Sequence, residues 1–185
     1  MNYIVTGLIC SGKSTFLNIA EENNFKILKS DDLVSEYYKD NEILNQLEKK
    51  LNLFDFKDNP KLLIKKLFLE SEKNKEIIES IFHPVIHRDI DKELSVNKNL
   101  MVEVPAIINN KNIVKNNTSI FIESSDINRL KRFKTKAKGE LKYFEKMNEY
   151  QKDYSLIKSC CDIIVTNNNK VENLYNYFDE RIIKS

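Results

Sequence analysis

Residues 7–14 carry the clearest chemical pattern in the chain. They read Gly-Leu-Ile-Cys-Ser-Gly-Lys-Ser and match the phosphate-binding sequence G-x-x-x-x-G-K-[ST] at every fixed position. The glycines let the backbone curl so that its N–H groups converge on an anion. The pattern predicts that the Lys13 ammonium reaches the nucleotide phosphates and that the Ser14 hydroxyl binds Mg²⁺. The expected nucleotide contacts are Gly7, Cys10, Ser11, Gly12, Lys13, Ser14 and Thr15.

Two carboxylates at predicted strand ends could act on the same phosphate. Asp31 follows a predicted strand at residues 25–28, and Glu103 lies near the end of another at residues 100–104. Phosphoryl transfer needs a carboxylate that orients or deprotonates the acceptor hydroxyl, and Asp31 is the best placed candidate. The alternative for Asp31 is a helix N-cap. Glu103 is expected to bind Mg²⁺ or substrate, with a plain strand-end carboxylate as the alternative, and Pro105 marks the end of that strand.

Further candidates are basic or amide side chains. Arg129 and Arg132 share one face of a predicted helix and suit phosphate binding, although surface salt bridges are the alternative. His83 precedes Pro84, and a proline in this position suits the first turn of a new helix. We expect His83 either to contact substrate or to act in packing or capping. The adenine site is placed loosely near Asn167.

The strands that must position these residues alternate with helices. They are predicted at residues 2–6, 25–28, 100–104, 119–122 and 162–166. This alternation predicts an α/β fold with a five-stranded parallel sheet, whose ligands bind beyond the carboxyl ends of the strands. Together with the phosphate-binding loop, it predicts the three-layer fold of P-loop NTPases.

The predicted organisation is a single kinase domain with a helical insertion and a helical lid. The core comprises residues 1–32, 98–125 and 159–185, the substrate-covering insertion residues 33–97, and the lid residues 126–158. The lid segment contains ten basic and five acidic residues, which is the charge expected of a lid over a γ-phosphate. A solvated helical face is the alternative. One predicted helix covers residues 139–158.

Composition limits the class of protein. The chain has 185 residues, which is long enough to bury a core. Its net charge is only +2, and nothing in this charge favours nucleic acid as a partner. Its three cysteines form no C-x-x-C pattern, which favours a reducing compartment. No signal-peptide pattern or long apolar window is visible. We expect a cytoplasmic protein that acts on small molecules, without membrane, nucleic acid or obligate protein partner.

Taken in order, these motifs resemble those of the dephospho-coenzyme A kinase family, a group of phosphate-loop kinases. The similar segments are residues 4–15, 29–33, 82–86, 102–105, 126–130 and 161–167. The resemblance implies Mg²⁺-dependent transfer of the ATP γ-phosphate to the ribose 3′-hydroxyl of dephospho-coenzyme A, the last step of coenzyme A biosynthesis. It also implies that Asp31 and Lys13 are catalytic, that Arg129, Arg132 and Asn167 bind ATP, and that His83, Glu103 and Pro105 join Asp31 in binding the acceptor.

The sequence departs from the family pattern at Lys29, His87, Asn109 and the pair Phe133-Lys134, near which the family's lid usually has Arg-Asp. Two alternatives therefore stay open. One is another small-molecule or nucleoside monophosphate kinase of the same fold, and the other is a nucleotide-binding regulatory protein without catalysis. A GTPase switch is not favoured, because neither a D-x-x-G motif after the third strand nor an N-K-x-D motif is present.

Overall fold

The computed structural model describes residues 1–53, 59–136, 141–168 and 171–184. The chain divides into two compact units. The first comprises Met1–Leu28 and Val96–Ser185, and the second comprises Lys29–Ser95. In the described ranges, no helix combines the length and apolar character needed to span a bilayer.

A five-stranded parallel sheet organises the described part of the first unit, as predicted. Its strands are β1 (Tyr3–Thr6), β2 (Lys26–Lys29), β3 (Leu100–Glu103), β4 (Ser119–Glu123) and β5 (Ile163–Thr166). The strand order is β2-β3-β1-β4-β5. Val5 of the buried central strand β1 pairs in parallel with Glu103 of β3 and with Ile120 of β4. The loop that follows β1 therefore starts at the centre of the sheet's carboxyl edge.

The described residues form ten α-helices. They are α1 (Lys13–Glu22), α2 (Ser30–Tyr37), α3 (Asn41–Leu51), α4 (Pro60–Glu70), α5 (Glu72–Val96), α6 (Lys111–Lys115), α7 (Asp126–Lys136), α8 (Leu141–Tyr150), α9 (Tyr154–Lys158) and α10 (Glu172–Phe178). A 3₁₀ turn, Ile108–Asn110, precedes α6, and a π-helical turn, Asp179–Ile183, extends α10. The Phe178 ring of α10 packs edge-on against Phe16 of α1 and Phe25, with ring centroids 5.3 and 5.9 Å apart.

The single helix predicted over residues 139–158 is wrong in its centre. The structure has two helices there, α8 and α9, joined by a turn in which the Lys152 and Tyr154 N–H groups donate to the carbonyls of Glu149 and Gln151. The first two positions of the predicted helix, 139 and 140, lie outside the described residues. The turn fixes the backbone of Gln151.

The second unit consists of helices, and α5 is its longest element. The prediction that Pro84 begins a new helix is wrong, since Pro84 lies inside α5. Proline in a helix interior removes one backbone hydrogen bond and is unfavourable by about 3 kcal/mol. The buried face of α5 offsets this loss, because it continues from Ile78, Ile81 and Phe82 before the proline to Ile86 and Ile90 after it.

Candidate active site

The loop between β1 and α1 requires glycine at both fixed positions. Gly7 has φ +148° and Gly12, the N-cap of α1, has φ +110°, a region that residues with a Cβ rarely adopt. A Cβ on Gly7 would lie 2.3 Å from the Ile122 carbonyl oxygen, and one on Gly12 would lie 2.0 Å from Asn167 Nδ2. The two glycines let β4 and the loop after β5 approach the phosphate-binding loop closely.

The side chain of Lys13 folds back over this loop. Its Nζ donates to the carbonyls of Gly7 at 3.0 Å and Leu8 at 3.2 Å. It also lies 3.7 Å from Glu103 Oε1, and the two side chains are only 12% and 19% exposed. A partly shielded ammonium therefore faces the carboxyl end of β3, where it can meet an anionic group.

The start of α1 offers further groups to a phosphate. Gly12 supplies no side-chain cap, so the N–H groups of the first turn have no side-chain acceptor from that position. Ser14 is exposed in this turn and Thr15 is half-buried. Cys10 is half-buried in the loop itself, with φ +59°. Across the described residues, the buried hydroxyls of Thr6 and Ser11 lack hydrogen-bond partners.

Magnesium has suitable donors here. Among the described residues, no group of three or more His, Cys, Asp or Glu side chains could hold a metal ion. Mg²⁺ does not need such a cage, since it is usually held by one or two protein oxygens together with phosphates and water. The exposed hydroxyl of Ser14 and the carboxylate of Glu103 are oxygen donors of the right kind.

Arg132 and Asn167 bind the backbone of the loop. Arg132 Nη1 donates to the carbonyls of Cys10 at 3.3 Å and Ser11 at 3.0 Å and to Ser124 Oγ at 3.0 Å, while its Nη2 donates to the Asn167 carbonyl at 2.8 Å. Asn167 Nδ2 donates to the Ser11 carbonyl at 2.8 Å. Burial lowers the pKa of Arg132, and the Cys10 thiol acts in the opposite direction. These contacts join two sequence-distant segments, residues 124–132 and Asn167, to the loop.

Arg129 is buried beneath the same loop rather than on the surface. It is 3% exposed, donates from Nη1 to the Ile9 carbonyl at 3.2 Å and to Asn148 Oδ1 at 2.8 Å, and pairs with Asp126 at 2.8 Å. Its guanidinium lies 5.5 Å from the centre of the Phe144 ring, within cation–π range. The predicted surface salt bridge is therefore only part of its environment, because the rest is backbone and aromatic contact.

One residue of the site was not predicted. Gln151 is 3% exposed, and its Oε1 accepts a hydrogen bond from the Ile9 N–H at 2.8 Å, although the two residues are 142 positions apart. No spacing or composition signal in the sequence distinguishes this glutamine.

Pro105 lies two residues after the end of β3 and is half-buried, and its carbonyl accepts a hydrogen bond from Asn110 Nδ2 at 2.9 Å.

Asp31 and His83 belong to the second unit. Asp31 is exposed in the first turn of α2, whose N-cap is Lys29, so the alternative that Asp31 is the N-cap of this helix is wrong. The carboxylate is instead left facing solvent at the positive end of the helix.

The half-buried His83 ring stacks on His87 of α5, with centroids 5.9 Å apart and planes 4° apart. Burial, and secondly the charge of His87, lower the pKa of His83 to about 4.

A parallel sheet whose central strand leads into this glycine loop and helix defines a P-loop protein of the kinase type. The model of the family described as Dephospho-CoA kinase matches residues 3–173. The chain therefore belongs to the dephospho-CoA kinase family.

Individual relatives are distant. A curated dephospho-CoA kinase of Campylobacter jejuni is 28% identical over 114 residues, which are 56% of this chain and 56% of that protein. The match thus spans little more than half of the relative's length. A solved dephospho-CoA kinase from Campylobacter jejuni aligns with TM-score 0.69 and 22% identity over 99% of this chain and 96% of its own. A Thermus thermophilus protein aligns with TM-score 0.77 and 18% identity over 100% and 97%. At these identities the two structures show the shared fold.

Proposed function

We propose that this protein is a dephospho-CoA kinase, which transfers the γ-phosphate of ATP to the ribose 3′-hydroxyl of dephospho-coenzyme A and so forms coenzyme A. The observation that carries the proposal is the family match over residues 3–173 on a chain whose phosphate-binding loop keeps both glycines, Lys13 and Ser14. Cys10, Cys160 and Cys161 are not joined by disulfides, which fits a reducing compartment, and we place the activity in the cytoplasm.

The loop would bind the triphosphate of ATP. Peptide N–H groups and the first turn of α1 would surround its oxygens, and the Lys13 ammonium, held above the loop by two of its carbonyls, would neutralise charge on the β- and γ-phosphates. Ser14 and Glu103 would hold Mg²⁺, which supplies further neutralisation of the phosphate charge. Arg129, Arg132 and Asn167 act from behind the loop, because in this structure they bind its carbonyl groups.

The acceptor would bind to the helical segment of residues 33–97, with the segment of residues 126–158 acting as the lid. Asp31 would orient and deprotonate the 3′-hydroxyl. Its carboxylate is exposed in the first turn of α2, and it is not the N-cap of that helix. His83, Glu103 and Pro105 are the further proposed acceptor contacts. His83 would act as a neutral imidazole, because its pKa is lowered to about 4.

The direct test is ADP release from Mg²⁺-ATP with a panel of acceptors. The panel contains dephospho-coenzyme A, nucleoside monophosphates, shikimate and gluconate, and Lys13→Ala serves as the inactive control. Selective turnover of dephospho-coenzyme A is expected. Selective turnover of another acceptor would keep the fold and reassign the substrate. Tight ATP binding without turnover of any acceptor would favour a regulatory role.

A further inference from the structure

The polypeptide around Ile9 is held from two sides. Its N–H donates to Gln151 Oε1 at 2.8 Å, and its carbonyl accepts from Arg129 Nη1 at 3.2 Å. These bonds fix two successive peptide groups of the phosphate-binding loop, Leu8-Ile9 and Ile9-Cys10. Gln151 and Arg129 are each 3% exposed, so the bonds are shielded from competing water.

The first of these peptide groups also carries Lys13. In a trans peptide the N–H and C=O bonds point in opposite directions. The Ile9 N–H points at Gln151, and the Leu8 carbonyl on the opposite side accepts from Lys13 Nζ at 3.2 Å and from the Ser11 N–H at 3.1 Å. One peptide group therefore connects the Gln151 amide to the Lys13 ammonium.

We propose that Gln151 is a positioning residue that acts on Lys13 through the Leu8-Ile9 peptide group. If this peptide turned over, the Ile9 N–H would no longer reach Gln151 Oε1, and Lys13 would lose one of its two loop carbonyls. Gln151 prevents this turn and so keeps Lys13 above the loop. The inference rests on the proposed binding of ATP by the loop.

Gln151 is itself held rigidly enough for such a role. Its N–H donates to the Met147 carbonyl at 3.0 Å, and its carbonyl accepts from the Tyr154 N–H at 3.1 Å. Helix α8, which ends one residue earlier, is anchored by Phe144, whose ring lies 5.2 Å from that of Phe133 in α7. A side chain on a fixed backbone can hold a loop peptide in one orientation.

The test is a double-mutant cycle on ATP binding, measured by calorimetry on the full chain. Gln151→Met keeps the length of the side chain and removes the acceptor, and it should weaken ATP binding about tenfold. In the Lys13→Ala background the same substitution should have less than a twofold effect, because its target is gone. Asn112→Ala, an exposed amide on α6, is the control and should bind ATP like the parent protein.

Three outcomes decide the proposal. Equal losses in both backgrounds would show that Gln151 does not act through Lys13 and would overturn it, as would unchanged ATP affinity in Gln151→Met. If Gln151→Met does not fold, Gln151→Glu takes its place. It keeps an oxygen acceptor, so any loss of ATP affinity caused by its added charge should be equal in the parent and Lys13→Ala backgrounds, and a loss that depends on Lys13 would contradict the proposal. The cycle measures only ATP binding, so it can be interpreted even if the protein does not phosphorylate dephospho-coenzyme A. Failure of this proposal is therefore distinguishable from failure of the proposed acceptor.

Discussion

The Lys13 ammonium lies 3.7 Å from Glu103 Oε1, which joins the first residue of α1 to the last residue of β3. Both side chains are largely shielded from solvent, so this pair is stronger than an exposed ion pair. The same carboxylate is a proposed Mg²⁺ ligand. Glu103 would thus balance the lysine before ATP binds and the metal ion afterwards, and this dual role can be tested.

Glu103→Gln should separate these two effects. Without Mg²⁺, the variant should bind ATP several-fold more tightly, because a negative charge near the phosphates is removed. With Mg²⁺, its kcat should fall at least tenfold and its half-saturating Mg²⁺ concentration should rise. Nucleotide affinity with and without Mg²⁺ and steady-state rates measure these changes. Glu21→Gln, exposed on α1, should alter neither quantity, and an unchanged Mg²⁺ dependence in Glu103→Gln would remove the carboxylate from the metal site.

Gly12→Ala should lower the stability of the folded protein, because its Cβ would lie 2.0 Å from Asn167 Nδ2 at φ +110°. Asn167→Ala removes the clashing amide but leaves the unfavourable φ, and it also removes the bond to the Ser11 carbonyl. The double variant should therefore recover part of the stability lost in Gly12→Ala, but not all of it. Thermal unfolding of the three variants and of the parent protein provides the cycle. Strictly additive losses would contradict the close contact.

The sequence predicted the elements whose signal is local. Short runs of Ile and Val, such as residues 163–165, indicated the strands, and the fixed pattern of residues 7–14 placed Gly12 and Lys13 correctly at the start of a helix. Such signals do not depend on which distant segment packs nearby.

Features that depend on tertiary contacts were missed. Pro84 was expected to begin a helix, yet the buried face of α5 continues through it. Gln151 was not singled out, because its partner Ile9 is 142 residues away and buried glutamines carry no periodic signal. Asp31 was considered as a helix cap, but the helix begins two residues earlier than that cap would place it, after Lys29. Helix ends shift by one or two residues easily, and this shift decided the environment of a proposed catalytic carboxylate.

Asp31→Asn should lower kcat at least a hundredfold and change ATP affinity less than threefold, if this carboxylate acts on the acceptor hydroxyl. Asp32→Asn is the matched control, because Asp32 is the next residue of α2 and is also exposed. Its kcat should stay within about threefold of the parent protein. Steady-state kinetics with both substrates varied measure this difference. Loss of ATP affinity with little change in kcat would assign Asp31 a different role.

Phe133 stands where the resemblance predicts a lid arginine, and the structure explains why arginine is unsuited here. The side chain is 3% exposed, and its ring lies 5.2 Å from Phe144 and 6.4 Å from Tyr143. Phe133→Arg would bury a charge among rings and should lower the free energy of unfolding by about 3 kcal/mol or more. Phe133→Leu should lose about 1 kcal/mol. Denaturant unfolding distinguishes the two. Equal stability of Phe133→Arg and the parent protein would contradict this packing role.

His83 provides a pH test within the second unit. Its pKa is about 4 in the folded protein, below the ordinary value of 6.5, so the unfolded chain binds more protons between these values. The neutral His83 imidazole therefore makes its full contribution to the unfolding free energy above pH 6.5, and this contribution is lost as pH falls through 4. It amounts to roughly 2 kcal/mol once the value is reduced for partial exposure. The unfolding free energy of His83→Gln should therefore vary less over this window.

The two histidines of the chain allow a direct measurement, because the imidazole NMR signals can be assigned from His83→Gln and His87→Gln. His87→Gln removes the neighbouring charge, the smaller of the two causes, and leaves the burial of His83 in place. The midpoint of His83 should therefore rise in this variant and stay below 6.5. A midpoint near 6.5 in the parent protein would show that the imidazole is not buried in solution. A midpoint that reached 6.5 only in His87→Gln would instead make charge the main cause.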